Sequence, residues 1–299
     1  MKAARAEAES RAGLPAALAR LLKRRWKAYC KALDRCQHNV TAKSVHASRI
    51  QTRRLLAALE LLGAFLPETH LTGACRALKR HLETLADLRD TQVQRRLVAR
   101  LLRRWPDLAE FDARLARREH RAIKQARKRI RRIKRKKLHA LVRRLAKEVR
   151  DLPVAEVRRK TLHGLRRALA EVMARRRRIV PDDPATIHRT RVAFKHFRYM
   201  VESLYEALAE LPPELRRTMR AYQTLMGDIQ DHQVLSAALE AFAHNQAQDP
   251  GRARLWLAAV ARRRRRLIAR FLSRADEVEN FCRLIRCPLP TADTDCSPP

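Results

Sequence analysis

The sequence predicts an all-helical protein, and three features of its composition and patterning support this fold class. Only 6 glycines occur in 299 residues. Alanine, leucine, arginine and glutamate, which are good helix formers, dominate the chain. No stretch alternates apolar and polar residues over the length of a strand. Hydrophobic residues make up 46% of the chain, which is enough for a core and unlike a disordered basic tail.

Prolines and polar breaks divide the chain into eight long predicted helices. In the first part they span about 14–38, 44–66, 72–103 and 107–139. In the second part they span about 154–178, 184–210, 213–246 and 251–283. Pro184 and Pro213 suit the first turn of a helix, where a missing N–H costs nothing. Four long helices in each part predict two packed helical bundles.

Two blocks of the sequence repeat at nearly the same spacing. Residues 45–57, VHASRIQTRRLLA, match residues 187–199, IHRTRVAFKHFRY, and residues 76–93 match residues 217–234. Because both blocks share an offset near 142, we interpret them as the duplication of a whole unit. The predicted organisation is an N-terminal lead at 1–13, a first helical-bundle half at 14–145, a second half at 146–285 and a disordered C-terminal tail at 286–299.

The net charge predicts an anionic partner. Lysine and arginine outnumber the acids to give a formal charge of +37, so the compact chain repels itself. An anion that binds the folded state would stabilise it by mass action. The candidates are nucleic acid, an anionic membrane surface and a phosphate polymer.

A basic stripe runs along the helix that carries each copy of the first repeated block. It comprises His46, Arg49 and Arg53 in the first half and His188, Arg191, Lys195 and Arg198 in the second. At 100° per residue the stripe borders the apolar face instead of opposing it. Basic side chains that reach from the core edge to solvent would explain one such helix. Its recurrence in both halves favours cations that face a groove or pore between helices.

The second repeated block combines acids and bases on one helix face. Asp87 and Asp90 recur as Asp228 and Asp231, beside Arg76 and Lys79 in the first half and Arg217 and Arg220 in the second. Two interpretations remain open: the acids orient the basic side chains of the groove, or they form ordinary ion pairs within their own helix.

Two further basic runs, Arg117–Lys137 and Arg262–Arg266, cannot face one direction throughout. We expect only some of their side chains to reach the groove. The candidates are Arg121, Lys124 and Lys128 in the first run and Arg263, Arg266 and Arg270 around the second.

The cysteines predict neither a disulfide framework nor a zinc site. They are Cys30, Cys36, Cys75, Cys282, Cys287 and Cys296, with no Cys-x-x-Cys pair. We expect ordinary thiols in a reducing, cytoplasmic compartment, because neither a signal peptide nor a membrane span is recognisable. The dense positive charge also argues against a metal site built from His46, His188 and the nearby acids.

The duplicated His-x-x-Arg-x-x-x-Arg/Lys helices, each followed by an (L/I)-x-D-x-x-V stretch, resemble the CHAD (conserved histidine α-helical domain) family over about residues 14–285. The resemblance implies two four-helix bundles related by pseudo-twofold symmetry, a basic central pore that binds inorganic polyphosphate, and association with polyphosphate granules. Carried over residue by residue, the implied polyphosphate-binding residues are His46, Arg49, Arg53, Arg54, Arg76, Lys79, His188, Arg191, Lys195, Arg198, Arg217 and Arg220.

The two halves depart from each other in charge. Lys195–His196 stands where the first half has Arg53–Arg54, and Leu56 stands where the second half has Arg198. The halves are therefore not electrostatically equal. Members of the family are often joined to a triphosphate tunnel enzyme domain, but its alternating-glutamate strand is absent from this sequence.

The alternative function is nonspecific nucleic-acid binding by exposed basic helices such as Arg117–Lys137. Against it, aromatic residues make up 5% of the chain and form no stacking platform. We do not expect an enzyme or a cofactor, because we find no Gly-rich phosphate loop, no acidic metal site and no nucleophile with a recognisable base. Membrane binding is not expected, because the basic helices lack an aromatic-rich apolar face. For a polyphosphate binder, the two motif histidines would add positive charge below about pH 6.5.

Overall fold

A computed structural model gives the structure of the protein and describes residues 13–208, 212–246, 249–274 and 277–284. The described part is all-helical and contains no strand, which confirms the predicted fold class. Its helices are α1 (Gly13–His38), α2 (Ala42–Leu62), α3 (Glu68–Thr84), α4 (Ala86–Leu101), a 3-10 turn (Pro106–Leu108), α5 (Ala109–Arg131), α6 (Lys136–Arg150), α7 (Val154–Arg177), α8 (Pro184–Leu208), α9 (Pro213–Gln246), α10 (Pro250–Leu272) and α11 (Glu277–Leu284). Apart from Gly13, the predicted lead and tail lie outside the described residues.

Local sequence explains where several helices begin. Thr41 precedes α2 and shares a reciprocal capping box with Ser44, with N–O distances of 3.1 and 2.9 Å. Helices α8 and α9 begin at Pro184 and Pro213, as the sequence predicted. The Asp249 side chain caps α10 by accepting hydrogen bonds from two backbone amides.

Two helices that the sequence predicted as continuous are broken. The expected helix 72–103 is interrupted at Leu85, which has φ −106° and ψ 7° and is fully buried. The expected helix 107–139 ends at Arg131, and the new helix α6 follows. Repulsion among the consecutive cations near Arg131 weakens the helix there, and the turn lets the buried Leu138 of α6 pack with α1. The predicted boundary between the halves, after residue 145, lies inside α6.

The helices pack in the same order in both halves. In the first half α1 contacts α2, α2 contacts α3, and α4 contacts α5; in the second half α7 contacts α8, α8 contacts α9, and α9 contacts α10. The halves meet where α2 contacts α8 and where α4 contacts α9. At the repeat offset, α3 and α4 together occupy the positions that correspond to the single long helix α9.

The two hydrophobic cores do not divide by half, in contrast to the predicted bundle in each half. The larger core joins side chains such as Leu59 of α2 and Phe197 of α8. The smaller core is a bundle of α4, α5, α9 and α10, with Phe111 packed against Phe242 at 5.2 Å between ring centroids. Trp256 is buried in this bundle and donates a hydrogen bond to Asp107 at 3.1 Å. Each half therefore completes the core of the other.

None of the helices in the described ranges is long and apolar enough to cross a membrane. The thiols of Cys30, Cys36 and Cys75 are free, and burial raises the pKa of each.

Candidate functional site

The contact between α2 and α8 brings four predicted cations together. Arg49 and Arg53 lie one helical turn apart on α2, and Arg191 and Lys195 lie one turn apart on α8. Arg53 is close enough to lower the pKa of both Arg191 and Lys195, and Arg49 also lowers the pKa of Lys195. The basic stripes of the two halves therefore face each other, as expected for a groove between helices.

Helices α4 and α9 close this group with residues that the sequence prediction did not select as ligands. Arg89 and Arg96 of α4 lie near Asp231 of α9, and Asp90 lies near Arg49. We call the central cluster the set Arg49, Arg53, Arg89, Asp90, Arg96, Arg191, Lys195 and Asp231. Arg89 was recognisable as a neighbour of Asp90 in the repeated block, but its counterpart in the second half is Gln230, so the repeat itself did not mark it.

Burial and repulsion between like charges lower the pKa values of several cations in the cluster. Burial, and then Arg53, lower the pKa of Arg49 to about 10 and that of Lys195 to about 8. Burial also lowers the pKa of Arg89 and of Arg191, with neighbouring arginines adding to the effect. Desolvation raises the pKa of Asp231 although Arg191 acts in the opposite direction. The cations of the cluster outnumber its carboxylates, and burial lowers the pKa of four of them: Arg49, Arg89, Arg191 and Lys195.

The hydrogen bonds of the cluster leave some of its donors unused. The buried Arg49 donates from Nη1 to the backbone carbonyl of Leu82 at 2.5 Å. By contrast, the Nε atoms of Arg53 and Arg191 are buried and have no hydrogen-bond partner within the described residues. The same holds within the described residues for four arginine Nε atoms elsewhere: those of Arg25, Arg114, Arg198 and Arg264.

The two motif histidines occupy different surroundings. Partial desolvation, and then Arg89, lower the pKa of His46, so in the free protein it gains a proton at a more acidic pH than the expected 6.5. His188 instead lies 3.0 Å from the side-chain oxygen of Gln230 through its Nδ1 atom. Since Gln230 corresponds to Arg89 in the repeat, the difference between the halves originates at this position.

Three predicted residues lie in a second cationic group around Glu202. Arg198 is buried, with Nη1 3.8 Å from Glu202, and Arg220 approaches the same carboxylate to 3.7 Å through Nε. Arg54 lies near Arg25, whose pKa is lowered by burial although Glu206 pairs with it. Arg198 and Arg220 therefore share the carboxylate of Glu202.

The remaining predicted residues lie outside both groups. Lys79 lines a cleft at one end of the central cluster, and Arg76 lines an adjoining shallow cleft of about 440 Å³. Arg217 pairs with Glu214 at 2.6 Å, and its side chain is 77% exposed. Arg217 lies about 20 Å along α9 from Asp231 at the rise of an α-helix. The structure therefore separates Arg217 from the central cluster.

The acids of the second repeated block follow neither sequence interpretation completely: they are neither all orienting groups for the basic side chains nor all partners in ion pairs within their own helix. Asp90 and Asp231 lie among the arginines of the central cluster, as orienting groups would. Asp87 accepts two hydrogen bonds from Arg118 of α5, at 2.5 and 3.1 Å, instead of pairing within its helix. The side chains proposed for the groove in the two basic runs, Arg121, Lys124, Lys128, Arg263, Arg266 and Arg270, are all exposed.

A cleft of about 650 Å³, which we call the mouth cleft, opens at one end of the central cluster between α2, α3, α7 and α8. Its lining includes Arg53, Lys195, Leu56, Val192 and Tyr199. Within the described residues, no group of three or more His, Cys, Asp and Glu side chains is placed to hold a metal ion.

Comparisons with known proteins identify relatives of this arrangement. The family model described as the CHAD domain matches residues 16–240. No protein with a curated description matches the chain. Among solved structures, PptA from Streptomyces chartreusis is similar with a TM-score of 0.64 and 16% identity, over 90% of this chain and 99% of that one. The CHAD domain from the plant Ricinus communis is similar with a TM-score of 0.60 and 22% identity, over 93% of this chain and 94% of that one.

Proposed function

Because the chain belongs to the CHAD domain family, we propose that it binds inorganic polyphosphate through the central cluster. The observation that carries the proposal is the meeting of basic side chains from both halves where α2 contacts α8. Two of these side chains, Arg53 and Arg191, also have a buried Nε without a hydrogen-bond partner among the described residues. A buried donor without an acceptor costs free energy, about 1–3 kcal/mol in typical cases. Phosphate oxygens are acceptors that match guanidinium groups in charge and geometry.

Relief of charge repulsion adds to this driving force. Burial and neighbouring cations lower the pKa of Arg49 and Lys195, so the free protein holds its cations close together at a cost. A bound polyanion reverses the sign of the local potential and restores the charged forms. Polyphosphate therefore stabilises the folded chain by mass action, and its affinity falls steeply with salt as counterions are released.

The position of the cluster between helices favours a thin linear polymer, with Arg49 buried and Asp90 and Arg96 exposed. Its cations come from α2, α4 and α8, while α9 contributes Asp231, and Arg49 is buried between these helices. A phosphate chain carries oxyanions along its length and has no bases that would need to be accommodated. A duplex presents its phosphates on the outside of a wide cylinder, which fits an exposed surface better than a cluster between helices.

The proposed activity is binding, not catalysis. Both carboxylates of the central cluster, Asp90 and Asp231, lie among arginines whose charge opposes a catalytic metal cation. Binding of this kind would bring the protein to polyphosphate granules.

Duplex nucleic acid is the second candidate partner, favoured by the outer surface of α5. Arg121, Lys124 and Lys128 are exposed on this helix. They present positive charge to any large polyanion without requiring it to enter a cleft.

Competition binding tests the proposal. Labelled long-chain polyphosphate is displaced by unlabelled polyphosphate or by duplex DNA at matched phosphate concentration and fixed salt. The site variant is Arg53→Ala with Arg191→Ala, which leaves the hydrogen bond from Arg49 to Leu82 intact. Its matched control is Arg263→Ala with Arg266→Ala, which removes the same charge from exposed positions of α10.

We expect duplex to compete poorly and the site variant to lose at least about tenfold in affinity, since several charge-assisted hydrogen bonds disappear. The control should lose much less. Equal losses in both variants, together with efficient competition by duplex, would reject the central cluster and assign binding to the outer basic helices.

A further inference from the structure

The mouth cleft has an apolar wall that an inorganic phosphate polymer does not use. Arg53 and Lys195 belong to both the central cluster and the cleft. The same lining includes apolar and aromatic side chains: Leu56, Leu82, Val192, Ala193 and Tyr199. Polyphosphate presents only charged oxygens to the protein. Contact with an apolar wall would remove water from those oxygens without providing hydrogen bonds in exchange.

Part of this wall is open to solvent. Val192 is 46% exposed, although it is a large apolar side chain on a well-packed helix. Tyr199 lies two turns further along α8, about 10 Å in helical rise, and the guanidinium of Arg198 lies 4.8 Å from its ring centroid. That contact fixes the ring by a cation–π interaction, so the wall holds an ordered aromatic group.

Two leucines of the apolar wall differ from the equivalent residues of the second half. At the repeat offsets, the position of Leu56 in the first half is taken by Arg198 in the second, and the position of Leu82 by Gln223. The other apolar residues of the wall belong to the second half itself. The apolar surface contributed by Leu56 and Leu82 is therefore not imposed by the repeat.

Some cations of the cleft already interact with carboxylates, whereas Arg53 has a donor without a partner. His196 lies 3.2 Å from Glu60 through Nδ1, and Arg175 donates to Glu171 at 2.6 Å. Arg53 keeps its buried Nε without a partner in the described part of the chain. Phosphate groups would therefore lie at the inner end of the cleft, next to the central cluster.

We propose that the mouth cleft binds a nucleoside triphosphate, with the phosphates on Arg53 and Lys195 and the base against Val192, Leu56 and Tyr199. The cleft volume of about 650 Å³ is within the usual range for small-molecule sites, roughly 300–1,000 Å³. The inference rests on the proposed function, because Arg53 and Lys195 serve both ligands. It goes beyond that function in assigning an organic ligand and a hydrophobic contact.

The test compares two ligands that carry the same number of phosphates. Calorimetry on the full chain, in EDTA, measures the affinity for ATP and for inorganic triphosphate. If charge alone decides, inorganic triphosphate binds at least as tightly as ATP. We expect ATP to bind at least about fivefold tighter, which is the lower end of what stacking of one base contributes.

Substitutions in the apolar wall test whether it contacts the nucleoside of ATP. Tyr199→Ala and Val192→Ser should each weaken ATP while leaving inorganic triphosphate unchanged. Leu56→Arg, which imports the residue of the equivalent position, should weaken ATP and strengthen inorganic triphosphate. Leu255→Ala is the matched control, because Leu255 is an apolar side chain on α10 that is 61% exposed. If Tyr199→Ala fails to fold by circular dichroism, the exposed position of Val192 still decides the result.

The outcomes separate this inference from the proposed function. If long-chain polyphosphate binds but ATP is no tighter than inorganic triphosphate, the nucleotide site is wrong and polyphosphate binding stands. If ATP binds tighter and long-chain polyphosphate does not bind, the proposed function fails. Equal effects of Val192→Ser and Leu255→Ala on ATP would also overturn the nucleotide site.

Discussion

The Arg49 guanidinium donates a hydrogen bond to the backbone carbonyl of Leu82, near the end of α3. This carbonyl is free because the helix breaks at Leu85, so the positive side chain also lies at the negative end of a helix. At the equivalent position in the second half, Arg191 faces α9, which continues without a break. Two arginines that the repeat makes equivalent therefore differ: Arg49 donates to a backbone carbonyl, whereas the Nε of Arg191 has no hydrogen-bond partner among the described residues.

This difference predicts opposite effects on stability. Arg191→Met removes a cation repelled by Arg53 and an unsatisfied donor, so the ligand-free protein should become more stable by about 1 kcal/mol. Its thermal midpoint should rise by about 2 °C. Arg49→Met leaves the Leu82 carbonyl without its donor, so its midpoint should fall. Scanning calorimetry at low salt measures both, and shifts in the same direction would contradict the asymmetry.

Binding of polyphosphate should take up a proton at Lys195. Burial, and then Arg53, lower its pKa to about 8, so about half of the free protein carries a neutral amine at pH 8. A bound polyanion raises this pKa, and affinity should therefore fall as pH rises through 8. Calorimetry in two buffers of different ionisation enthalpy should detect an uptake of about half a proton at pH 8. The uptake should disappear in Lys195→Arg and persist in Lys79→Arg, the control at the exposed lysine of the cleft.

The buried His81 should make stability depend on pH. Its side chain is 2% exposed, and it lies 3.3 Å from Ser48 Oγ through Nε2 and 3.3 Å from Thr52 Oγ1 through Nδ1. Burial, and then Arg49, lower its pKa to about 4, below the value near 6.5 of the unfolded chain. The stabilisation is complete above pH 6.5 and is lost as pH falls towards 4, by up to about 3 kcal/mol.

Urea unfolding from pH 7 to 4 measures this loss for the wild type and for His81→Gln, which cannot gain the proton. The variant should have the flatter profile, while His120→Gln, at an exposed position of α5, should follow the wild type. Parallel profiles for all three proteins would exclude His81 as the origin.

Removal of a carboxylate from the central cluster should lower the stability of the ligand-free protein and raise its affinity for polyphosphate. Asp231→Asn keeps the shape of the side chain but leaves Arg191 and Arg89 without its negative charge. We expect the ligand-free protein to lose about 1 kcal/mol and polyphosphate to bind tighter, because a repulsive charge is gone. Asp228→Asn, at an exposed position of the same helix, is the control. Weaker polyphosphate binding by Asp231→Asn would instead make this acid an essential positioning residue.

The sequence was most informative where a pattern recurred. The repeated His-x-x-Arg-x-x-x-Arg/Lys stripe predicted that Arg49, Arg53, Arg191 and Lys195 face a space between helices, and the structure places them together. Arg89 was not predicted, because its counterpart is Gln230 and one half alone carries the charge. A sequence repeat predicts the functional residues that both halves share, but it gives no signal for a residue that is charged in one half alone.

The breaks within the predicted helices could not be recognised from the sequence, for a different reason. Leu85 is a good helix former with no proline or glycine beside it, so local propensity favours continuation. Tertiary contacts decide instead, since Leu85 is fully buried and the break frees the Leu82 carbonyl to accept a hydrogen bond from Arg49. The sharing of the smaller core between the halves was equally hidden, because hydrophobic periodicity identifies a buried face without identifying the helix that covers it.

The shared bundle of α4, α5, α9 and α10 bears on the origin of the chain. Phe111 of the first half is covered by Phe242 of the second, so a single unit would expose the apolar faces of both its helices. An ancestor that contained one unit could have covered those faces with a second copy of itself, as a twofold-symmetric homodimer. Fusion of two copies into one gene would then have released each copy to diverge. Only after such a fusion could the two copies carry different residues, Leu56 and Arg198, at equivalent positions.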